Sequence, residues 1–189
     1  MRHRRSMKPA RTAQLGAAIA LKPFEPGAVR LGFSCRVHLR HKGRMLLLCY
    51  SVHGPLEQLI IPPLSDYGDY KPELWRSTCM ECFLRSQSNS AYVEWNFSPA
   101  GTWWVCAFES YRIAAPQQPG DLPRVHIRSH QTATRLDLQT AIPLINRGPQ
   151  HIELAVILEH ADGQRSHWAR AHPEEKPDFH RPLPAAFIL

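Results

Sequence analysis

The stretch Tyr92-Val-Glu-Trp-Asn-Phe97 alternates between two kinds of side chain at every position. Successive side chains of a β-strand point to opposite faces of the sheet, so Tyr92, Glu94 and Asn96 are predicted to share one face. The Val, Trp and Phe residues that alternate with them form an apolar face, which is predicted to belong to the core. The polar face ends in an aromatic side chain and is available to contact a ligand.

Short runs of the same character recur along the chain, and turn residues such as His41-Lys-Gly43 and Ala161-Asp-Gly163 separate them. No window of 11 or more residues carries a helical apolar stripe with a recognisable cap. Many short strands without intervening helices predict an all-β fold, an antiparallel β-sandwich of about ten strands. The predicted strands are Val29–Leu39, Met45–Val52, Thr78–Leu84, Ala91–Phe97, Trp103–Phe108, Arg124–Arg128, Thr134–Ala141, Ile152–Leu158, His167–Ala171 and Ala186–Leu189.

The net charge of +7 over 189 residues is concentrated ahead of Glu25, the first acidic residue. Arg2, Arg4, Arg5, Lys8 and Arg11 supply five of the positive charges. Charge runs of this kind are usually solvated tails, so residues 1–20 are predicted to form a disordered basic extension, or to be shortened by a start at Met7. Residues 21–189 are predicted to form a single domain. A basic arm contacts phosphates or anionic lipid without specificity, so no specific nucleic-acid partner is predicted.

The segment Leu15–Leu21 is only faintly similar to a signal peptide. It is short, Lys22 follows it at once, and no small-x-small cleavage site is evident. No run approaches the roughly 20 apolar residues that a membrane span requires. These features predict a cytoplasmic protein without a membrane span.

The chain has five cysteines, an odd number that argues against a secreted disulfide framework. Cys79-x-x-Cys82 has the spacing of a redox or zinc half-site, but it lies within a predicted strand. Residues three apart on a strand point to opposite faces, so these two thiols are predicted to be free and buried.

Three stretches together carry a family resemblance: Leu74–Phe83, Ala91–Trp103 continuing to Tyr111-Arg112, and Asp162–Pro173 followed by Lys176–His180. In this order they resemble the DOMON-like group of domains, which is similar in fold to family 9 carbohydrate-binding modules. The resemblance implies a sandwich of about ten strands with a sugar- or haem-binding face. It also implies a sugar held between two tryptophans beside a carboxylate, which places Trp75 and Glu81 in those roles and Trp168 as the second tryptophan.

Sugar binding requires a flat apolar surface for C–H faces and planar polar groups for hydroxyls, and these residue types supply both. The sequence therefore predicts a non-catalytic domain that binds a saccharide or a similar polar small molecule. The candidate ligand-binding residues are Trp75, Arg76, Glu81, Glu94, Asn96, Arg112, Trp168, His172, Asp178 and His180.

Four alternatives remain open at this stage. The first is a protein-interaction or structural role, which requires no particular set of site residues. Glu81 and Glu94 lie on consecutive predicted strands and would suit a glycosidase if the register makes them near-opposite.

A metal site could use His172, Asp178 and His180, although a polar clamp in which Asp178 or His180 bonds the backbone is favoured. A b-type haem-binding redox domain would need Met80 and a histidine, from His126, His130, His172 or His180, as ligands. No cofactor and no metal are predicted.

Overall fold

The computed structural model describes residues 18–65, 68–118, 124–144, 150–183 and 187–188. Within these residues the chain forms twelve strands. They are β1 (Ala18–Pro23), β2 (Ser34–Lys42), β3 (Met45–His53), β4 (Cys79–Ser86), β5 (Tyr92–Phe97), β6 (Trp103–Ser110), β7 (Ile113–Ala114), β8 (Ile127–Gln131), β9 (Arg135–Pro143), β10 (Gln150–Glu159), β11 (Arg165–Ala169) and β12 (Phe187–Ile188). The helical segments described are short, Gly27–Arg30, Leu56–Gln58 and Leu74–Arg76, and none of them could cross a membrane.

The strands form two antiparallel sheets that share one strand. The larger sheet has the order β7-β6-β5-β4-β10-β11, with β12 also paired to β10, and the smaller sheet has the order β2-β3-β9-β8. Strand β1 joins them, because residues 18–21 pair with β2 while Lys22 and Pro23 pair with β11. The predicted all-β antiparallel fold is confirmed.

The apolar faces of the two sheets pack together into one core. Tyr50 of β3 is fully buried there and contacts Phe97 of β5, with ring centroids 6.4 Å apart. Its hydroxyl donates a hydrogen bond of 2.8 Å to the carbonyl of Glu81 on β4, across the space between the sheets. A sandwich core therefore lies between β3 and the β4–β5 pair.

The outer face of the larger sheet is covered in part by residues 172–183, which we call the strap. Phe179 of the strap packs against two small clusters of side chains on this face. Arg85 of β4 fastens the strap, because it pairs with Glu153 at 2.8 Å and donates to the Phe179 carbonyl at 2.9 Å. Polar residues on this face are therefore buried without belonging to the core between the sheets.

Most predicted strands are confirmed, with three differences. Residues 29–33 precede β2, because the chain makes a helical turn at Gly27–Arg30 before Ser34 begins the strand. Strand β1 was not predicted, and it begins at Ala18, where residues 18–20 of the predicted extension pair with β2. The predicted strand Arg124–Arg128 begins later, at Ile127. Residues 1–17 of the predicted extension lie outside the described residues.

The five cysteines are free thiols, as predicted. Cys82 lies in the core between the sheets, whereas Cys79 packs with Leu74 and Ile157 on the outer face. The half-site spacing of these two residues thus places them on opposite sides of β4, which follows from the alternation of a strand.

We predict that Tyr50→Phe will destabilise the protein by about 1–3 kcal/mol, because a buried hydrogen bond between the sheets is lost. Tyr70→Phe is the matched control, since the Tyr70 hydroxyl also donates to a backbone carbonyl, that of Val105 at 3.3 Å, but this side chain is 53% exposed. Its cost should stay below about 0.5 kcal/mol. Urea unfolding of both variants measures the difference, and equal costs would contradict the inter-sheet role of Tyr50.

Candidate functional site

A pocket of about 350 Å³ opens on the outer face of the larger sheet, beside the strap. This volume lies within the range of small-molecule sites. Aromatic side chains form much of its wall, namely Trp75, Trp104, Phe108 and Phe179. Its polar lining consists of Glu81, Glu94, Arg112, His167 and His180, and Ile157 and Pro177 complete it.

The register of β4 and β5 places two carboxyl groups in this pocket. Glu81 is opposite Asn96, and Glu94 is opposite Phe83, so the two glutamates are diagonal neighbours on one face of the sheet. Both are buried, with exposed fractions of 2% and 4%. The near-opposite arrangement that the sequence left open is not formed, because the register is offset by two residues.

The surroundings of these carboxyl groups disfavour two full negative charges. Burial raises the pKa of Glu81 well above its ordinary value, and the neighbouring charge of Glu94 raises it further. Burial also raises the pKa of Glu94, although the Asn96 amide, which donates a 2.8 Å hydrogen bond, and the charge of Arg112 act in the opposite direction. Asn96 therefore supports the site from beneath, because it is fully buried and does not line the pocket.

Arg112 is held at the edge of the pocket by the strap. Its guanidinium pairs with Asp178 at 3.1 Å, and the Tyr111 hydroxyl donates to the same carboxylate at 2.6 Å. Burial alone would raise the pKa of Asp178, but the hydrogen bond from Tyr111, a backbone hydrogen bond from His180 and the charge of Arg112 lower it overall. Asp178 thus forms the backbone clamp that the sequence favoured over a metal site.

Within the described part of the chain, no group of three or more His, Cys, Asp and Glu side chains is arranged to hold a metal ion. Met80, the methionine that the haem alternative would require, is fully buried in the core between the sheets. Its side chain therefore lies on the side of β4 away from the pocket.

His180 of the strap is fixed by a chain of two hydrogen bonds. The Tyr92 hydroxyl accepts a bond of 3.1 Å from the backbone N–H of Arg112, so its own proton is free to be donated to Nδ1 of His180 at 2.7 Å. This assigns the ring proton to Nε2, which lies 3.7 Å from Glu94. Burial, and then the positive charge of Arg112, lower the pKa of His180 to about 4, so the ring is neutral at pH 7.

Trp75 stands at the rim of the pocket on the short helical turn Leu74–Arg76. The buried Leu74 anchors this turn, while the indole of Trp75 remains 38% exposed. Arg76 does not line the pocket, because it pairs with Glu73 at 3.0 Å and lies 5.0 Å from the Trp75 ring. The prediction that Arg76 contacts the ligand is thus not supported by its placement.

Two further predicted residues lie away from the pocket. Trp168 is only 1% exposed and packs in the core between the sheets, where its indole N–H donates to Ser166 at 3.0 Å. The prediction of Trp168 as a second ligand-contacting tryptophan is therefore wrong, because alternation along β11 turns it inward. His172 bonds the Lys22 carbonyl at 2.8 Å and does not line the pocket.

The sequence reasoning missed Trp104 and His167, both of which line the pocket. Trp104 follows an inward-facing tryptophan, so alternation along β6 could have identified it as an outward side chain. His167 occupies the outward position next to Trp168, and Glu25 accepts hydrogen bonds from its backbone N–H and pairs with its Nδ1 at 2.7 Å. No local signal links residues 142 positions apart.

We predict that the imidazole of His180 will stay neutral until the pH falls to about 4, as followed by the NMR shifts of its ring. Its folded pKa is depressed, so the stability that the neutral ring contributes is present above pH 6.5 and is lost as the pH falls through about 4. Arg112→Gln should raise the pKa of His180, because it removes a positive charge that disfavours protonation. Titration of the wild-type ring near 6.5 would contradict this environment.

Two solved structures share this fold. One is a candidate carbohydrate-binding protein from Bacteroides uniformis, which is 16% identical in sequence to this chain. The match covers 88% of this chain and 83% of that protein, with a TM-score of 0.56. The other is a family 9 carbohydrate-binding module from Caldicellulosiruptor kristjanssonii, solved in complex with cellotriose and 10% identical in sequence to this chain. The match covers 86% of this chain and 79% of that module, with a TM-score of 0.54.

No protein-family model matches the sequence, and no curated protein matches it significantly. At such low identity the likeness concerns the fold. The chain therefore has a β-sandwich fold like that of family 9 carbohydrate-binding modules.

Proposed function

We propose that this protein binds a saccharide, or a similar polar small molecule, in the pocket on the outer face of the larger sheet. One observation carries the proposal: an exposed indole, that of Trp75, stands at the rim of a pocket with two buried carboxyl groups. A pyranose presents C–H groups on its faces and hydroxyls around its edge. The aromatic wall suits the faces, and the carboxyl, guanidinium and imidazole groups suit the hydroxyls.

The polar groups of the pocket are pre-organised for such a ligand. Arg112 forms an ion pair with Asp178 of the strap, and Glu94 accepts a hydrogen bond from Asn96. The His167 ring is paired with Glu25. Each group would thus meet the ligand without losing much side-chain freedom, which reduces the entropic cost of binding. The fold that this chain shares with a cellotriose-binding module adds support.

We propose further that the bound ligand is not cleaved. Glycoside hydrolysis uses two carboxyl groups that flank the scissile bond from different sides of the sugar. Glu81 and Glu94 instead project from the same face of one sheet and are diagonal neighbours. Both would therefore meet a ligand from the same side, as binding groups.

We predict that isothermal titration calorimetry with glucose, cellotriose and other monosaccharides and short oligosaccharides will find a binding sugar. Trp75→Ala should weaken its affinity about ten-fold, or ~1.4 kcal/mol, because the indole no longer covers a face of the ring. Calorimetry is preferred to fluorescence, since the variant removes one of the fluorophores. After long incubation of a bound oligosaccharide with the protein, chromatography should find the oligosaccharide intact.

The matched control is Tyr70→Ala, which truncates another exposed aromatic side chain that does not line the pocket. This variant should bind the sugar with wild-type affinity. Thermal unfolding of both variants verifies that they are folded. Failure of every sugar to bind, or equal affinity of the Trp75→Ala variant and the wild type, would overturn the proposal.

A further inference from the structure

The pocket has an excess of carboxyl groups over cations. Arg112 and Arg85 are both committed elsewhere, Arg112 to Asp178 at 3.1 Å and Arg85 to Glu153 at 2.8 Å. Among the described residues, neither Glu81 nor Glu94 has a lysine or arginine within 4.0 Å of its carboxyl group. The closest basic group is Nε2 of His180, 3.7 Å from Glu94, on a ring that is neutral at pH 7.

The Glu81 carboxyl group also has unused hydrogen-bonding capacity. Its side chain contacts the Cys79 thiol at 3.7 Å, and a thiol is a weak donor. A carboxyl group has about four lone-pair sites once it is ionised, so most of the acceptor capacity of Glu81 would be open to a cationic ligand that favours its ionised form. Glu81 is 2% exposed and lines the pocket, so water can satisfy this capacity only from within the pocket.

The wall around these carboxyl groups is aromatic. Trp75, Trp104 and Phe108 line the same pocket as Glu81 and Glu94. Aromatic rings attract a cation through the negative charge of their faces, and this attraction strengthens when water is excluded. A positively charged group thus complements both the floor and the wall of the pocket, whereas an anionic group would be repelled.

We infer that the preferred ligand is an amino sugar with a free, protonated amine, bound with its ammonium group at Glu81 and Glu94 and its ring against Trp75. This inference rests on the proposed saccharide binding and specifies the class of sugar. An ammonium group offers three donors to the open acceptor sites of the two carboxyl groups. A neutral sugar carries no positive charge to balance the two carboxyl groups when they ionise.

Binding of the ammonium group should also release a proton. The pKa of Glu81 is raised, chiefly by burial and then by the charge of Glu94. A cation beside the pair favours the ionised carboxyl groups, so a proton held there passes to the buffer while the amine remains protonated. The other titratable or charged groups near the pair are Tyr50, Cys79, Arg85, Tyr92, Cys106, Arg112, Arg165, His167, Asp178 and His180.

The test is calorimetric titration of the full chain at pH 7 with glucosamine, glucose and N-acetylglucosamine. These sugars have the same ring, and the last keeps the nitrogen substituent but loses its charge. Glucosamine should bind at least ten-fold more tightly than either neutral sugar. Repeating the titration in two buffers of different ionisation enthalpy should detect proton release with glucosamine alone.

Glu81→Gln tests the role of the carboxyl group. The variant should bring the ratio of glucosamine to glucose affinity close to one and abolish the proton release. Glu109→Gln is the control, because it removes an exposed carboxyl group outside the pocket and should leave the ratio unchanged. Because the folded pKa of Glu81 is raised, its contribution to stability is lost as the pH rises, so Glu81→Gln should be at least as stable as the wild type at pH 8.

The outcomes separate this inference from the proposed function. Equal binding of glucosamine and glucose, or an unchanged ratio in Glu81→Gln, would overturn the amine preference and leave saccharide binding intact. Absence of binding by all sugars would overturn both proposals. Ethanolamine bound as tightly as glucosamine would overturn the requirement for a sugar ring.

Discussion

The pairing register of β4 and β5 is the constraint on which the candidate site depends. The inward residues Met80, Cys82 and Leu84 on β4, and Val93, Trp95 and Phe97 on β5, are buried in the core between the sheets. A slip of one residue would turn every one of these side chains to the opposite face, so the core fixes the register strongly. As a consequence, Glu81 and Glu94 are both placed on the outer face, where the pocket lies.

The strap covers part of this outer face and engages the two arginines nearest the pocket. Asp178 of the strap forms an ion pair with Arg112, and the backbone carbonyl of Phe179 accepts a hydrogen bond from Arg85. Glu153 of β10 forms an ion pair with the same Arg85 guanidinium. Both arginines are thereby engaged in ion pairs, each with a carboxylate other than those of the pocket floor. Among the described residues, no lysine or arginine forms an ion pair with either glutamate of the floor, which is costly for stability and is the arrangement expected of a binding site.

Much of the fold could be predicted from the sequence, because alternation is a local property. The stretch Tyr92–Phe97 predicted both faces of its strand, and the structure places them as predicted. Strand β1 (Ala18–Pro23) was not predicted, because its residues follow a basic segment and contain only one β-branched residue. Site residues were harder to predict, because neighbouring positions of a strand face opposite sides of the sheet and an error of one position selects the wrong residue. On β11, Trp168 points to the core while His167 lines the pocket. The partnership of His167 with Glu25 depends on the tertiary fold and has no local signal.

We infer that the register of β4 and β5 creates a ligand pocket whose two carboxyl groups meet the ligand from one side. A crystal structure of the protein grown with glucosamine tests this inference. We expect one face of the sugar ring against Trp75, with its amine within hydrogen-bond distance of Glu81 and Glu94. A sugar bound elsewhere while this pocket holds only water, or Glu81 and Glu94 on opposite faces of the sheet, would contradict this inference.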